Sequence, residues 1–155
     1  MQHASSPEEL AALAATIDAW LEVQRTENPV VAAAEADPDP DVHRWFVRVT
    51  GDEKDVFSIW FHLDQRTLHY ETYVMPAPEE NHAEFYAYLL RRNSQLFGAA
   101  FSIGDEEAVF LEGALPNSAV DDDELDRVLG SLYVWVERFF KPALRIGFAS
   151  KFAAG

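Results

Sequence analysis

Apolar residues recur with helical spacing near the start of the chain. In "SSPEELAALAATIDAWLEVQR", Leu10, Leu13, Ile17, Trp20 and Leu21 fall on one stripe. Ser6 suits the N-cap, Pro7 the first helical position, and Glu9 completes a capping box with Ser6. This predicts a helix over residues 6–26. The following "ENPVVAAAEADPDPDV" is broken by prolines and aspartates and reads as a connector over 27–41.

The pattern then changes to alternation, which marks strands. "VHRWFVRVTG" places Trp45, Val47 and Val49 on one face and Arg44, Phe46 and Arg48 on the other. "KDVFSIWFHL" sets Phe57, Ile59, Phe61 and Leu63 against Val56, Ser58, Trp60 and His62. "TLHYETYVM" sets Leu68, Tyr70, Thr72 and Val74 against His69, Glu71, Tyr73 and Met75. Each strand has one strongly apolar face and one mixed aromatic and polar face, as in an antiparallel sheet covered mainly on one side.

Helical spacing returns in "PAPEENHAEFYAYLLRRNSQ". Phe85, Leu89 and Leu96 trace a buried stripe that Tyr86 and Leu90 widen, with His82 one turn before Phe85. The acidic start and the Arg91–Arg92 end match the helix dipole. Two further strands, "LFGAAFSI" and "AVFLEGAL", are joined by "GDEE". "DDDELDRVLGSLYVWVERFF" is the last long helix, which Pro142 should end or kink. "PALRIGFASKFAAG" is then a second helical segment or a docked tail. The order α-β-β-β-α-β-β-α predicts an α+β fold: an antiparallel sheet of about five strands with helices packed mainly on one face. A single domain over 1–155 is expected, with its core in 42–152.

Composition narrows the function. The chain has 155 residues, 48% apolar and 25% charged, which is an ordinary globular balance. It lacks cysteine, so disulfides, thiol catalysis and cysteine-ligated metals are excluded. The start carries no secretory pattern and no run suits a bilayer span, so a cytoplasmic location is expected, with no membrane partner. A formal net charge of −15 disfavours nucleic acid, whose phosphates need a basic face.

Motifs for chemistry are sparse. There is no nucleophile elbow, dinucleotide fingerprint or phosphate loop, and no cofactor is expected. The acidic run from Asp121 to Asp126 lacks the spacing of a calcium loop and suits a helix start. If "DQRT" closes a tight hairpin, His62 faces His69 and Trp60 faces Glu71. Opposed residues have Cβ atoms about 4.5–5.5 Å apart, so His62, His69 and Glu71 form a candidate metal site. Phe46, Trp60 and Tyr73 on the mixed sheet face are candidate interface anchors. Tyr133 belongs to the broad stripe of the last helix and Trp135 lies at its margin; the stripe serves either one wide core face or a dimer or partner contact.

Three blocks, "KDVFSIWFHLDQRTLHYETYVMPAPEENHAEFYAYLLRRN", "ELDRVLGSLY" and "FFKPALRIGFASKF", together resemble bacterial YbjN-domain proteins. The resemblance implies a type III secretion chaperone-like fold. It also implies a small, often dimeric module that binds protein partners or acts in regulation, and it brings no catalytic residues. The resulting expectation is a non-enzymatic, homodimeric, chaperone-like module with an unidentified protein partner. The alternative is a metal- or small-ligand-binding sensor or enzyme built on His62, His69 and Glu71.

Overall fold

The structure, a computed structural model, describes residues 3–153. Helix α1 (Pro7–Glu27) begins in the expected capping box: the Ser6 hydroxyl accepts the Glu9 N–H at 3.1 Å, and the Glu9 carboxylate accepts the Ser6 N–H at 2.9 Å. Ile17, Trp20 and Leu21 are its buried apolar residues. The Trp20 ring meets Phe61 edge-on at 5.6 Å, and its N–H reaches the Asp126 carboxylate at 2.8 Å. The indole is thus packed and hydrogen-bonded at once, as a buried Trp requires.

The connector after α1 is shorter than expected, because Val31–Ala36 forms a strand, β1. It pairs antiparallel with β2 (Arg44–Thr50). Three consecutive alanines carry little β-propensity and no alternation, so this strand depends on the edge that β2 offers. Strands β3 (Val56–Leu63) and β4 (Thr67–Met75) follow as a hairpin, then β5 (Ala100–Ile103) and β6 (Val109–Pro116). All pairings are antiparallel, and the sheet has six strands in the order β1-β2-β3-β4-β6-β5 rather than about five.

The alternation read from the sequence decides which way this sheet faces. Trp45, Val47, Val49, Phe57, Ile59, Phe61, Leu68, Tyr70 and Leu111 are buried on one side. Helices α1 and α3 (Asp122–Gly147) pack there, with α2 (His82–Asn93) against α3 and β5. Opposite Tyr70 on this side, β6 carries Gly113, where an added Cβ would lie 2.1 Å from the Gly98 carbonyl oxygen. The glycine lets the loop entering β5 cross close enough for Gly98 to accept the Tyr70 hydroxyl.

Three details around the helices depart from expectation. Helix α2 starts at His82, after Asn81 in a left-handed conformation (φ 54°), because the Glu79 and Glu80 N–H groups both donate to the Gly147 carbonyl at the end of α3. His82 and Leu90 face solvent instead of the buried stripe, which rests on Phe85 and Leu89. Helix α3 runs through Pro142 to Gly147, and a short helix α4 (Ala149–Ala153) follows. Burial of Phe139, Ala143 and Gly147 on either side of the proline offsets the interior proline's cost of about 3 kcal/mol.

Candidate functional site: the open face of the sheet

The other side of the sheet carries the even-numbered residues of β2, β3 and β6 and the odd-numbered ones of β4, so its chemistry can be read in rows across the strands. One row runs Arg44, His62, His69, Ala114 from β2 to β6. The next runs Glu35, Phe46, Trp60, Glu71, Glu112, Ala100 from β1 to β5. A third contains Tyr73, Phe110 and Ser102. Over the β2–β5 part lies a hollow of about 860 Å³, bordered by Arg44, Trp60, His62, Glu71 and Glu112.

Aromatic rings form the apolar component of this face, and of those on it Trp60 borders the hollow. Phe46 and Trp60 lie 5.2 Å apart between centroids, and Tyr73 meets Phe110 edge-on at 5.7 Å. Trp60 remains 40% exposed and Tyr73 44%. The basic groups of β2 already have partners: the Arg44 guanidinium is 5.8 Å from the Trp60 ring centre and 3.0 Å from the Asp37 carboxylate, while Arg48 stands 5.3 Å over Phe46.

Tyr73 is held by a second device. The β4–β6 register shifts between Tyr73 and Met75, a bulge that turns strand carbonyls away from the ladder. The Lys54 ammonium donates to the Val74 carbonyl and, at 3.2 Å, to that of Tyr73. It also lies 5.1 Å from the ring centres of Tyr73 and Phe140. Burial lowers the Lys54 pKa to about 8. Burial, followed by the charge of Glu106, raises that of Tyr73.

The hairpin register follows the sequence reading: His62 faces His69, and Trp60 faces Glu71. The two imidazoles turn toward Asp64 in the β3–β4 turn, each 3.4 Å from one of its oxygens, and His69 is also 2.8 Å from the Thr67 hydroxyl. Among the described residues no group of three His, Asp or Glu side chains is placed to hold a metal ion.

The five anticipated anchors do not converge. Phe46, Trp60 and Tyr73 share the open face. Tyr133 and Trp135 are half-buried against the core on the helical side, where Tyr133 stacks on Phe57 at 5.8 Å and donates to the Thr50 carbonyl at 3.0 Å. Asp64, Phe110 and Glu112 join the face without having been singled out from the sequence. Alternation in "AVFLEGAL" groups Phe110 with Glu112, but only the strand order shows that they stand beside β4.

A second apolar surface lies at the sheet edge, in a groove between α2 and β5 lined by Tyr86, Leu89, Leu90, Phe101, Ile103 and Val109. Leu90 is 69% exposed and Ile103 53%. The outward backbone of β5 is closed to another strand at Phe101. Its N–H donates to the Asn93 side-chain oxygen at 2.7 Å, and its carbonyl accepts from the Asn93 amide at 3.2 Å. Covering an edge in this way blocks strand addition while leaving the side chains free to pack.

The family model described as "Putative bacterial sensory transduction regulator", YbjN, matches residues 11–144. The chain belongs to the YbjN family. Uncharacterized proteins of Mycobacterium tuberculosis and Mycobacterium leprae are 35% and 33% identical over 104 and 107 residues. These matches cover 67% and 69% of this chain but only 57% and 58% of those proteins. Among solved structures, a chain of the heterodimeric ExoU–SpcU complex of the Pseudomonas aeruginosa type III secretion system aligns with a TM-score of 0.57 at 17% identity, over 82% of this YbjN chain and 96% of that one. A chain from the Yersinia pestis secretion chaperone SycH bound to a YscM2 fragment gives 0.53 at 16% identity, over 80% and 96%. A chain of the ExsC–ExsE complex gives 0.55 at 14%, over 83% and 94%. The fold is type III secretion chaperone-like. Among the described residues no helix is long and apolar enough to cross a membrane.

Proposed function

We propose that this YbjN protein is a non-catalytic binding module of the cytoplasm that holds a segment of another protein on the open face of its sheet. The observation behind this reading is that Trp60 and Tyr73 stand exposed on a face that none of the described helices covers. Exposed aromatic side chains among polar groups, such as Trp60 at the border of the hollow, are the usual anchors of protein interfaces. The fold supports the same reading by analogy, because the similar structures come from protein–protein complexes. Phe46, Trp60 and Tyr73 are the anchors in this reading, while Tyr133 and Trp135 support the core behind them.

The module works as a homodimer. Its two copies meet through the groove between α2 and β5, where Leu90 and Ile103 present the exposed apolar surface. Because Asn93 closes the backbone of β5, the copies join by side-chain packing and not by continuing the sheet.

Selection of peptides from a random display library on the immobilised full-length protein tests the binding face. The selected peptides should bind Trp60→Ser at least about tenfold more weakly, with an unchanged circular dichroism spectrum. Peptides that bind the Trp60→Ser and Tyr73→Ser variants as well as the parent would show that the open face is not the binding surface.

A further inference from the structure

We propose that the segment held on the open face is basic, and that one of its arginine or lysine side chains lies beside the Trp60 ring and donates to Glu71 and Glu112 together. This rests on the reading that the open face is the binding surface, and it specifies the chemistry of the partner.

Glu71 and Glu112 are directly opposed on β4 and β6, so their Cβ atoms are about 4.5–5.5 Å apart. Like charges in that position destabilise a sheet. Neither carboxylate has an ion pair among the described residues. The basic side chains of neighbouring β2 are engaged elsewhere, Arg44 with Asp37 and Trp60, and Arg48 with Phe46. Among the described residues no cation relieves the repulsion, so a cation brought to this open surface by a partner would do so.

The surroundings select the form of that cation. Trp60 is the β3 residue opposite Glu71, so an exposed indole adjoins the carboxylate pair in the same row. A guanidinium can stack on an indole and present parallel N–H groups to carboxylates, and an ammonium meets both demands less completely. Beyond the pair, Ala100 opposes Glu112, and Ala114 opposes His69, so small side chains leave room for the rest of a polypeptide. The net charge of −15 adds a long-range attraction for basic segments. Arg44 and Arg48 give the bound segment a direction: its basic residues lie over β4 and β6, and its neutral or acidic residues over β2.

The library-selected peptides decide the matter when their composition is read and their affinity is measured for the Glu71→Gln/Glu112→Gln double variant. The proposal expects enrichment in arginine and lysine, affinity that falls with added salt, and at least about tenfold weaker binding to the double variant. That variant should melt at the same temperature as the parent or higher, because it loses only a repulsion. Peptides that are neutral or acidic, bind the double variant normally and are lost with Trp60→Ser would overturn the basic partner while leaving the binding face in place. Selection of no peptide that depends on Trp60 would overturn both.

Discussion

Replacing Lys54 with methionine removes an ammonium that folding has partly taken out of water. The fall of its pKa from the ordinary 10.5 to about 8 is caused by burial and corresponds to a penalty of about 3 kcal/mol on the charged form. Contact between the half-buried side chain and solvent screens this to about 2 kcal/mol. Below pH 8 lysine is charged in both folded and unfolded chains, and the penalty is carried in full. Between pH 8 and 10.5 the unfolded chain binds more protons than the folded one, so stability rises with pH across that window. The protein should therefore gain about 2 kcal/mol relative to Lys54→Met as the pH is raised. Urea unfolding of both proteins from about pH 7 to about pH 10 measures the difference. Burial raises the pKa values of Tyr70, Tyr73 and Tyr133, whose contributions run the other way above about pH 10, so the scan stops there. Parallel stability profiles for the two proteins would refute the account of Lys54 as a desolvated clamp on the β4 bulge.

Three further outcomes follow from single contacts. Glu137 on α3 accepts the N–H groups of Asp52, Glu53 and Lys54, the last two at 3.1 and 3.0 Å, so Glu137→Ala should cost about 2–3 kcal/mol in urea unfolding by stripping the β2–β3 turn of its acceptor. Gly113→Ala places a Cβ 2.1 Å from the Gly98 carbonyl oxygen, and it should lower stability by at least about 2 kcal/mol as the loop entering β5 is displaced. Sedimentation velocity should find a dimer for the parent and a folded monomer for Leu90→Asp/Ile103→Asp. A parent that stays monomeric at high concentration would remove the dimer from the proposal.

Local signals made much of this fold legible. The alternation in β2, β3 and β4 gave each strand its buried face, and "DQRT" gave the hairpin register that sets His62 against His69. The capping box placed the start of α1. The misses share a long-range cause. Strand β1 is alanine-rich and forms on an edge supplied by β2. Helix α2 begins late because Gly147, more than sixty residues further along the chain, accepts the N–H groups of Glu79 and Glu80. Leu90 has the spacing of a core residue but lies at the sheet edge, exposed in the groove between α2 and β5. The candidate face was half legible for the same reason. Alternation on β3 and β4 exposed Trp60, Glu71 and Tyr73, but only the strand order brings Glu112 beside Glu71. Asp64 lies in the turn, outside any alternating pattern, so its place between the two histidines depends on how that turn closes.

The proposed binding surface is the open sheet face, and not the helical side. Titrating isotopically labelled protein with a selected peptide and following the backbone amide and indole N–H resonances tests it most directly. Shifts should concentrate at Phe46, Trp60, Glu71, Tyr73 and Glu112, with the Trp60 indole among the largest and the Trp20 and Trp45 indoles unmoved. Shifts confined to α1, α2 and α3, with the Trp60 resonance unchanged at saturation, would contradict it.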